Sequence, residues 1–186
     1  YATSLCKLAS FYSDIGNCQK AIDMGTEALQ IRESLSGKNT SAYATSLSDL
    51  ASYYYYIGNY PKAIEYGTEA LNIQKSVLGN NHPHYARSLS NLASCYSAIG
   101  NYQKAIKFGT EALLIKESIL GKNTSAYAIS LNNLASYYSN IGDFQKAIKL
   151  STEAMDIQKT VLGTNSLDYA TSLCKLASFY SDIGNC

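Results

Sequence analysis

An all-α solenoid of stacked antiparallel helix pairs is the fold class this sequence predicts, and three observations carry it. Tyr recurs at Tyr1, Tyr43, Tyr85, Tyr127 and Tyr169, at a step of 42 residues. Every step holds two stretches whose apolar residues fall on one helical face. Each stretch opens on a capping residue and closes on Gly at the same place in every copy. A period of roughly 20–50 residues marks an array of one supersecondary unit, not a single globular core.

The first stretch, helix A, carries Leu5, Leu8, Ala9, Tyr12 and Ile15 at helical spacing. Its frame returns as YATSLCKLASFYSDIGN, YATSLSDLASYYYYIGN, YARSLSNLASCYSAIGN and YAISLNNLASYYSNIGD. Gly16, Gly58, Gly100 and Gly142 are predicted to end it in the left-handed region that suits Gly. Asn17, Asn59, Asn101 and Asp143 follow as N-caps of the second stretch, helix B, with Pro61 in a first turn. Helix B places Ala21, Gly25, Ala28, Leu29, Arg32 and Leu35 on one side, with Ile22 and Ile31 beside them. It stops at Gly37, Gly79, Gly121 and Gly163. Thr40, His82, Thr124 and Ser166 align just before the next helix A, and Pro83 takes a first helical position. Gly25, Gly67 and Gly109, with Ser151 in the fourth copy, sit in mid-helix, where Gly costs about 1 kcal/mol against Ala. Their recurrence predicts close helix–helix approach. A lone pair buries too little apolar surface, so stability must come from neighbours. The predicted organisation is a single array over 1–186: repeats 1–42, 43–84, 85–126 and 127–168, then a fifth helix A over 169–186.

The segment YATSLCKLASFYSDIGNC occurs twice, at Tyr1–Cys18 and Tyr169–Cys186. The fifth helix A should therefore dock on the fourth helix B just as the first would on a preceding one. This reads as a block of a longer natural array or an engineered segment. Neither end has a distinct polar capping helix. Leu5, Leu8 and Tyr12 of the first helix A are the expected end-to-end contact, a heterologous one that would build filaments.

A net charge of +1 with acids and bases interspersed gives no nucleic-acid surface, even beside the run Tyr53–Tyr56. No apolar run is long enough for a membrane span, and no leader pattern is present. Cys6, Cys18, Cys95, Cys174 and Cys186 are odd in number and lack a CxxC pair, so they read as free thiols in a reducing, cytoplasmic setting. His82 and His84 read as a cap and a surface residue that diverge from each other. No metal or cofactor ligand set, phosphate loop or catalytic constellation is discernible, and the chain reads as a non-enzyme.

Leu5, Leu8, Ala9, Tyr12, Gly16, Ala21 and Ala28, repeated in register, resemble the tetratricopeptide repeat. The usual unit is about 34 residues. The longer period here and the link VLGNNHPHYA (Val77–Ala86) resemble the repeats of kinesin light chains. The resemblance implies a right-handed superhelix with helix A lining a concave groove that binds a protein or peptide. In that register, positions 3, 6, 10, 13 and 14 of each unit face inward, a wall mostly of small hydroxyls. Tyr55, Tyr56, Arg87, Ser90, Asn132 and Asn140 are the candidate peptide-groove residues, since aromatic and Arg side chains are the common anchors. Two further readings stand beside this one. The chain could be the sensor or assembly arm of a larger signalling protein with its catalytic domain elsewhere, or a structural repeat that self-associates head to tail.

Overall fold

A computed structural model describes residues 1–184; Cys186, expected as a free thiol, and the end of the 169–186 helix assignment lie outside the described residues. Among the described residues there are nine helices and no strand. They are α1 (Ala2–Asp14), α2 (Cys18–Ser36), α3 (Ser41–Tyr56), α4 (Tyr60–Leu78), α5 (Pro83–Ala98), α6 (Tyr102–Leu120), α7 (Ser125–Asn140), α8 (Phe144–Leu162) and α9 (Leu167–Asp182). Odd-numbered helices are the predicted A helices and even-numbered ones the B helices.

The chain forms two compact units, one spanning Tyr1–Ile99 and one from Gly100 onward. In the first, each of α1 to α5 packs on the next, and α3 also touches α1 and α5. In the second, each of α6 to α9 packs on the next, and α7 also touches α9. Within each unit this neighbour-on-neighbour order is the packing of a solenoid.

The punctuation explains the boundaries. Gly16 has φ +79°. There its N–H bonds the Ser13 carbonyl at 3.0 Å, and the Asn17 N–H bonds that of Tyr12 at 2.8 Å. This is a Schellman closure, which satisfies carbonyls the helix end would otherwise leave open. Asn17 then caps α2 by accepting from the Lys20 N–H at 3.3 Å. Thr40, Thr124 and Ser166 each accept an N–H at the start of the following A helix. The hairpins are also held by Lys20 over the Tyr12 ring, Lys62 over Tyr54 and Lys146 over Tyr138, with Nζ 4.2–5.1 Å from the ring centroid. Contacts of this kind contribute about 0.5–1 kcal/mol each at exposed sites.

Each inner A helix buries two apolar faces. In α3, Leu47 and Leu50 are both fully buried. A Cβ added to Gly25 of α2 would lie 3.0 Å from Leu50 Cδ2 and 3.4 Å from Tyr53 Cε2. The mid-helix glycines thus mark where a B helix receives the eighth residue of the next A helix, Leu50, Leu92 or Leu134. Three expected stripe residues lie outside the core, Leu8 at 41% exposed among them. Ile15 is 59% exposed, since it is the C-cap of α1, and Leu35 is 78% exposed in a last turn whose residues 33–36 all face solvent.

The two histidines do not diverge. His82 is the N-cap of α5 with an extended backbone, and its Nδ1 accepts from the His84 N–H at 3.2 Å. Because His82 stands outside the helix, its ring stacks on that of His84, with centroids 5.3 Å apart and planes 15° from parallel.

Candidate protein-binding surface

Counting positions from each repeat-opening Tyr, the polar side chains at positions 4, 6 and 32 meet where successive repeats join. Between α1, α2 and α3, Arg32 donates to Ser46 Oγ at 2.7 Å and to the Ala42 carbonyl at 2.6 Å, while Cys6 Sγ lies 3.7 Å from Ser46 Oγ. Between α3, α4 and α5, Ser48 and Ser88 share a bond at 2.8 Å, and Gln74 Nε2 donates to Ser48 Oγ at 3.1 Å. In the second unit Lys116 Nζ donates to Ser130 Oγ at 2.7 Å. Its ammonium pKa is lowered by burial. Between α7, α8 and α9, Asn132 Nδ2 donates to Ser172 Oγ, Ser172 donates to Gln158 Oε1, and Ser151 donates to Asn132 Oδ1 at 3.2 Å. These groups are buried or half-buried and, Gln74 Oε1 apart, bonded to one another, so they act as inter-repeat connectors.

The surface open to a partner lies along the A helices. In the first unit a pocket of about 150 Å³ sits between α3 and α5, lined by Ala51, Ser52, Tyr55, Tyr56, Asn91, Ser94 and Cys95. Tyr55 is half-buried, edge-on to Tyr56 at 5.8 Å and tilted against Tyr60 at 5.7 Å. Tyr56 is 67% exposed. Burial pushes the Cys95 thiol up to about 11, the direction expected of a thiol in apolar surroundings. On the same helix pair Arg87 reaches Asp49 at 3.3 Å. Burial raises the Asp49 carboxyl above its ordinary value, and the nearby Arg87 opposes that rise. His84 is lowered, chiefly by burial and next by Arg87. Asn91 Nδ2 donates to Ser52 Oγ at 3.1 Å.

The second unit repeats that last contact. Lys175 Nζ donates to Ser136 Oγ at 3.1 Å and to the Asn132 carbonyl at 3.5 Å, and burial lowers its pKa. A pocket of about 220 Å³ there includes Asn133, Asp168, Thr171 and Lys175 in its lining. Asp168 accepts from Ser125 Oγ at 3.0 Å. Among the described residues no group of three or more His, Cys, Asp or Glu is placed to hold a metal ion.

The family model for the tetratricopeptide repeat matches residues 1–76, 63–118 and 126–186. The chain belongs to the tetratricopeptide repeat family. Among solved structures it is similar to a Podosopora anserina putative kinesin light chain with nearly identical TPR-like repeats, at 25% identity and TM-score 0.85, covering 98% of this chain and 86% of that one. BtubC (BKLC) from P. vanneervenii shares the fold at 23% identity and TM-score 0.86, over 97% of this chain and 72% of that one. The apo form of RapI does so at 15% identity and TM-score 0.83, over 99% and 64%. No curated protein matches the chain. Tetratricopeptide repeats generally mediate protein–protein interaction and are typically non-catalytic.

Within this tetratricopeptide repeat chain the expected groove residues separate. Tyr55, Tyr56 and Arg87 all belong to the first unit, with Tyr55 and Tyr56 lining the pocket and Arg87 paired to Asp49 outside that lining. Ser90 is half-buried, and its hydroxyl donates back to the Ala86 carbonyl at 3.1 Å. Asn132 is only 5% exposed; its side chain is bonded at the junction and also contributes to the lining of the second-unit pocket. Asn140 is exposed, with Nδ2 on the Ser136 carbonyl at 2.7 Å. Position 6 turns into the repeat junction, and position 7 takes the open face: Asp49, Asn91 and Lys175 were missed as surface groups. Of the expected end contact, Leu5 is buried and Tyr12 packs into the core of its own unit, because both face α2. Leu8 is 41% exposed.

Proposed function

We propose that this chain is a protein-interaction scaffold that holds an extended peptide along its A helices, anchored at the Tyr55–Tyr56 pocket of the first unit. The pocket carries the reading. Its volume suits one ring-sized or branched aliphatic side chain, since a cavity of about 150 Å³ accepts a benzene-sized guest. Tyr55 and Tyr56 stand where the first repeat has Ser13 and Asp14 and the third has Ser97 and Ala98, so the pocket is a local feature of this repeat. Aromatic anchors of this kind concentrate binding energy in interfaces. No charged side chain is among its lining residues, which favours a neutral anchor. The free thiols at Cys6, Cys18, Cys95 and Cys174 support a reducing, cytoplasmic setting. The interspersed charge favours protein over nucleic acid as partner.

The test is an array of immobilised extended dodecapeptides, each with one central Phe, Tyr, Leu, Met, Asp or Lys in a neutral background. The reading expects capture of the Phe, Tyr, Leu and Met members. Restoring the first-repeat residues with Tyr55→Ser and Tyr56→Asp should weaken that capture at least about tenfold, as loss of an interface anchor does. Equal capture of all members, or capture unchanged in the double variant, overturns it.

A further inference from the structure

The structure holds one sequence in two environments. The segment opening at Tyr1 and its copy opening at Tyr169 are identical, yet α1 has no helix against its outer face and α9 is docked on α8. Phe179 is 6% exposed and Ser172 fully buried in α9. Their counterpart Phe11 is 58% exposed in α1, with Leu8 at 41% and Tyr1 at 81%. Conversely, α1 buries Leu5 against α2, while the matching Leu173 of α9 is 41% exposed, as is Tyr180 at 42%. Each copy thus fills only one of the two faces that an inner A helix buries.

We infer that α1 of a second copy takes the seat of α9 on α8, joining molecules head to tail. Apart from the Asp168–Ser125 bond, which precedes the repeated segment, the contacts α9 makes with α8 and α7 have their counterparts in α1. Ser4 replaces Ser172 between Asn132 and Gln158, Lys7 replaces Lys175 at Ser136, and Phe11 replaces Phe179 against Ala135, Ala147 and Leu150. The incoming α1 also brings α2 on its second face, so the exchange covers the apolar side that α9 leaves open. Between molecules consisting of residues 1–186 the contact is heterologous and leaves an α1 and a seat at the two ends, so it propagates as open chains. The tethered α9 competes at an effective concentration on the order of millimolar. The exchange therefore populates at high protein concentration, and at low concentration once the seat is vacated. This inference is independent of the peptide-binding reading.

Sedimentation velocity and light scattering of the whole chain over a concentration series decide it. One chain weighs 20.2 kDa. Phe11→Asp and Phe179→Asp alter the same letter in the two copies and should act in opposite directions. Phe179→Asp frees the seat and should associate at a concentration at least about tenfold below that of the parent chain. Phe11→Asp, and the double variant, should remain at the mass of one chain. Ser172→Ala vacates the seat by a different chemistry and should act in the direction of Phe179→Asp. A synthetic peptide Tyr1–Asn17 added in excess should return Phe179→Asp to single-chain mass. Circular dichroism confirms that α1–α8 remain helical. Single-chain mass for both seat variants, or association that Phe11→Asp leaves intact, overturns the inference.

Discussion

Replacing Ser172 by Ala tests the polar junctions where one hydroxyl serves most partners. Ser172 is fully buried, accepts from Asn132 Nδ2 and donates to Gln158 Oε1. Alanine removes both bonds and leaves two buried polar groups facing apolar surroundings. Each such orphan costs about 1–3 kcal/mol, so the docked state should lose about 2–4 kcal/mol after partial relaxation. The loss falls on α9 alone, which touches only α8 and α7. Ser88→Ala is the control. There Ser48 Oγ loses one bond but keeps Gln74 Nε2 at 3.1 Å, so about 0.5–1.5 kcal/mol should be lost. Amide hydrogen exchange read by mass spectrometry on α9 and α5 peptides separates the two. Protection of α9 should fall at least about thirtyfold in Ser172→Ala, and that of α5 by no more than about tenfold in Ser88→Ala. Equal losses, or unchanged α9 protection, would refute the accounting by orphaned groups.

Three other outcomes follow from single residues. Gly58 has φ +77° with open space where a Cβ would stand, so Gly58→Ala should cost about 1–2 kcal/mol through backbone strain alone, read as a lower urea midpoint. Burial lowers the Lys116 pKa, so the folded state disfavours its charge at neutral pH; the parent chain should gain stability as pH rises from that lowered pKa towards about 10.4. Lys116→Gln, which installs the residue found at Gln74 and Gln158, should abolish that alkaline gain between urea titrations at pH 7 and 10. Burial likewise lowers His84, so the unfolded chain takes up its proton first as pH falls through about 6.5, and stability should drop below that point. His84→Gln should flatten the fall between pH 7.5 and 5.5.

The helices were legible because apolar burial has one sign. Leu47, Leu50, Leu89 and Leu92 recur at helical spacing, and a helix carrying them has one stable way to face its neighbours. Gly16 and Asn17 were legible for a similar reason: a left-handed residue followed by an N-cap is a local device that needs no partner from elsewhere in the chain. The Tyr55–Tyr56 pair was legible as a departure from the repeat, although the pocket itself needs α5 beside α3. His82 and His84 were misjudged because i, i+2 divergence assumes that both residues are helical, and the cap is not.

The misplacement of position 6 has a different root. A small polar residue on a helix reads the same whether water or a neighbouring repeat satisfies it, so Ser48 and Asn132 looked like wall residues. A signal was nonetheless present at position 32, where Arg32, Gln74, Lys116 and Gln158 interrupt an apolar stripe with a long polar side chain. Such a group inside a packed face needs a partner: Ser46, Ser130 and Ser172, at one fixed place in the following A helix, bond Arg32, Lys116 and Gln158, while Gln74 bonds Ser48, which in turn bonds Ser88 at that place. The same logic joins two irregularities of the fourth repeat. With Gly67 and Ser48 in the second repeat, Gln74 Oε1 is buried without a hydrogen-bond partner. In the fourth, Asn132 replaces the serine and Ser151 the glycine, and the added hydroxyl bonds the added amide oxygen. The two substitutions make one chemical unit: Asn132 alone would bury an amide oxygen with nothing to donate to it. Ser151→Gly should therefore destabilise the α8–α9 junction only while Asn132 is present, and lose most of its effect in an Asn132→Ser background, as a double-mutant cycle would show.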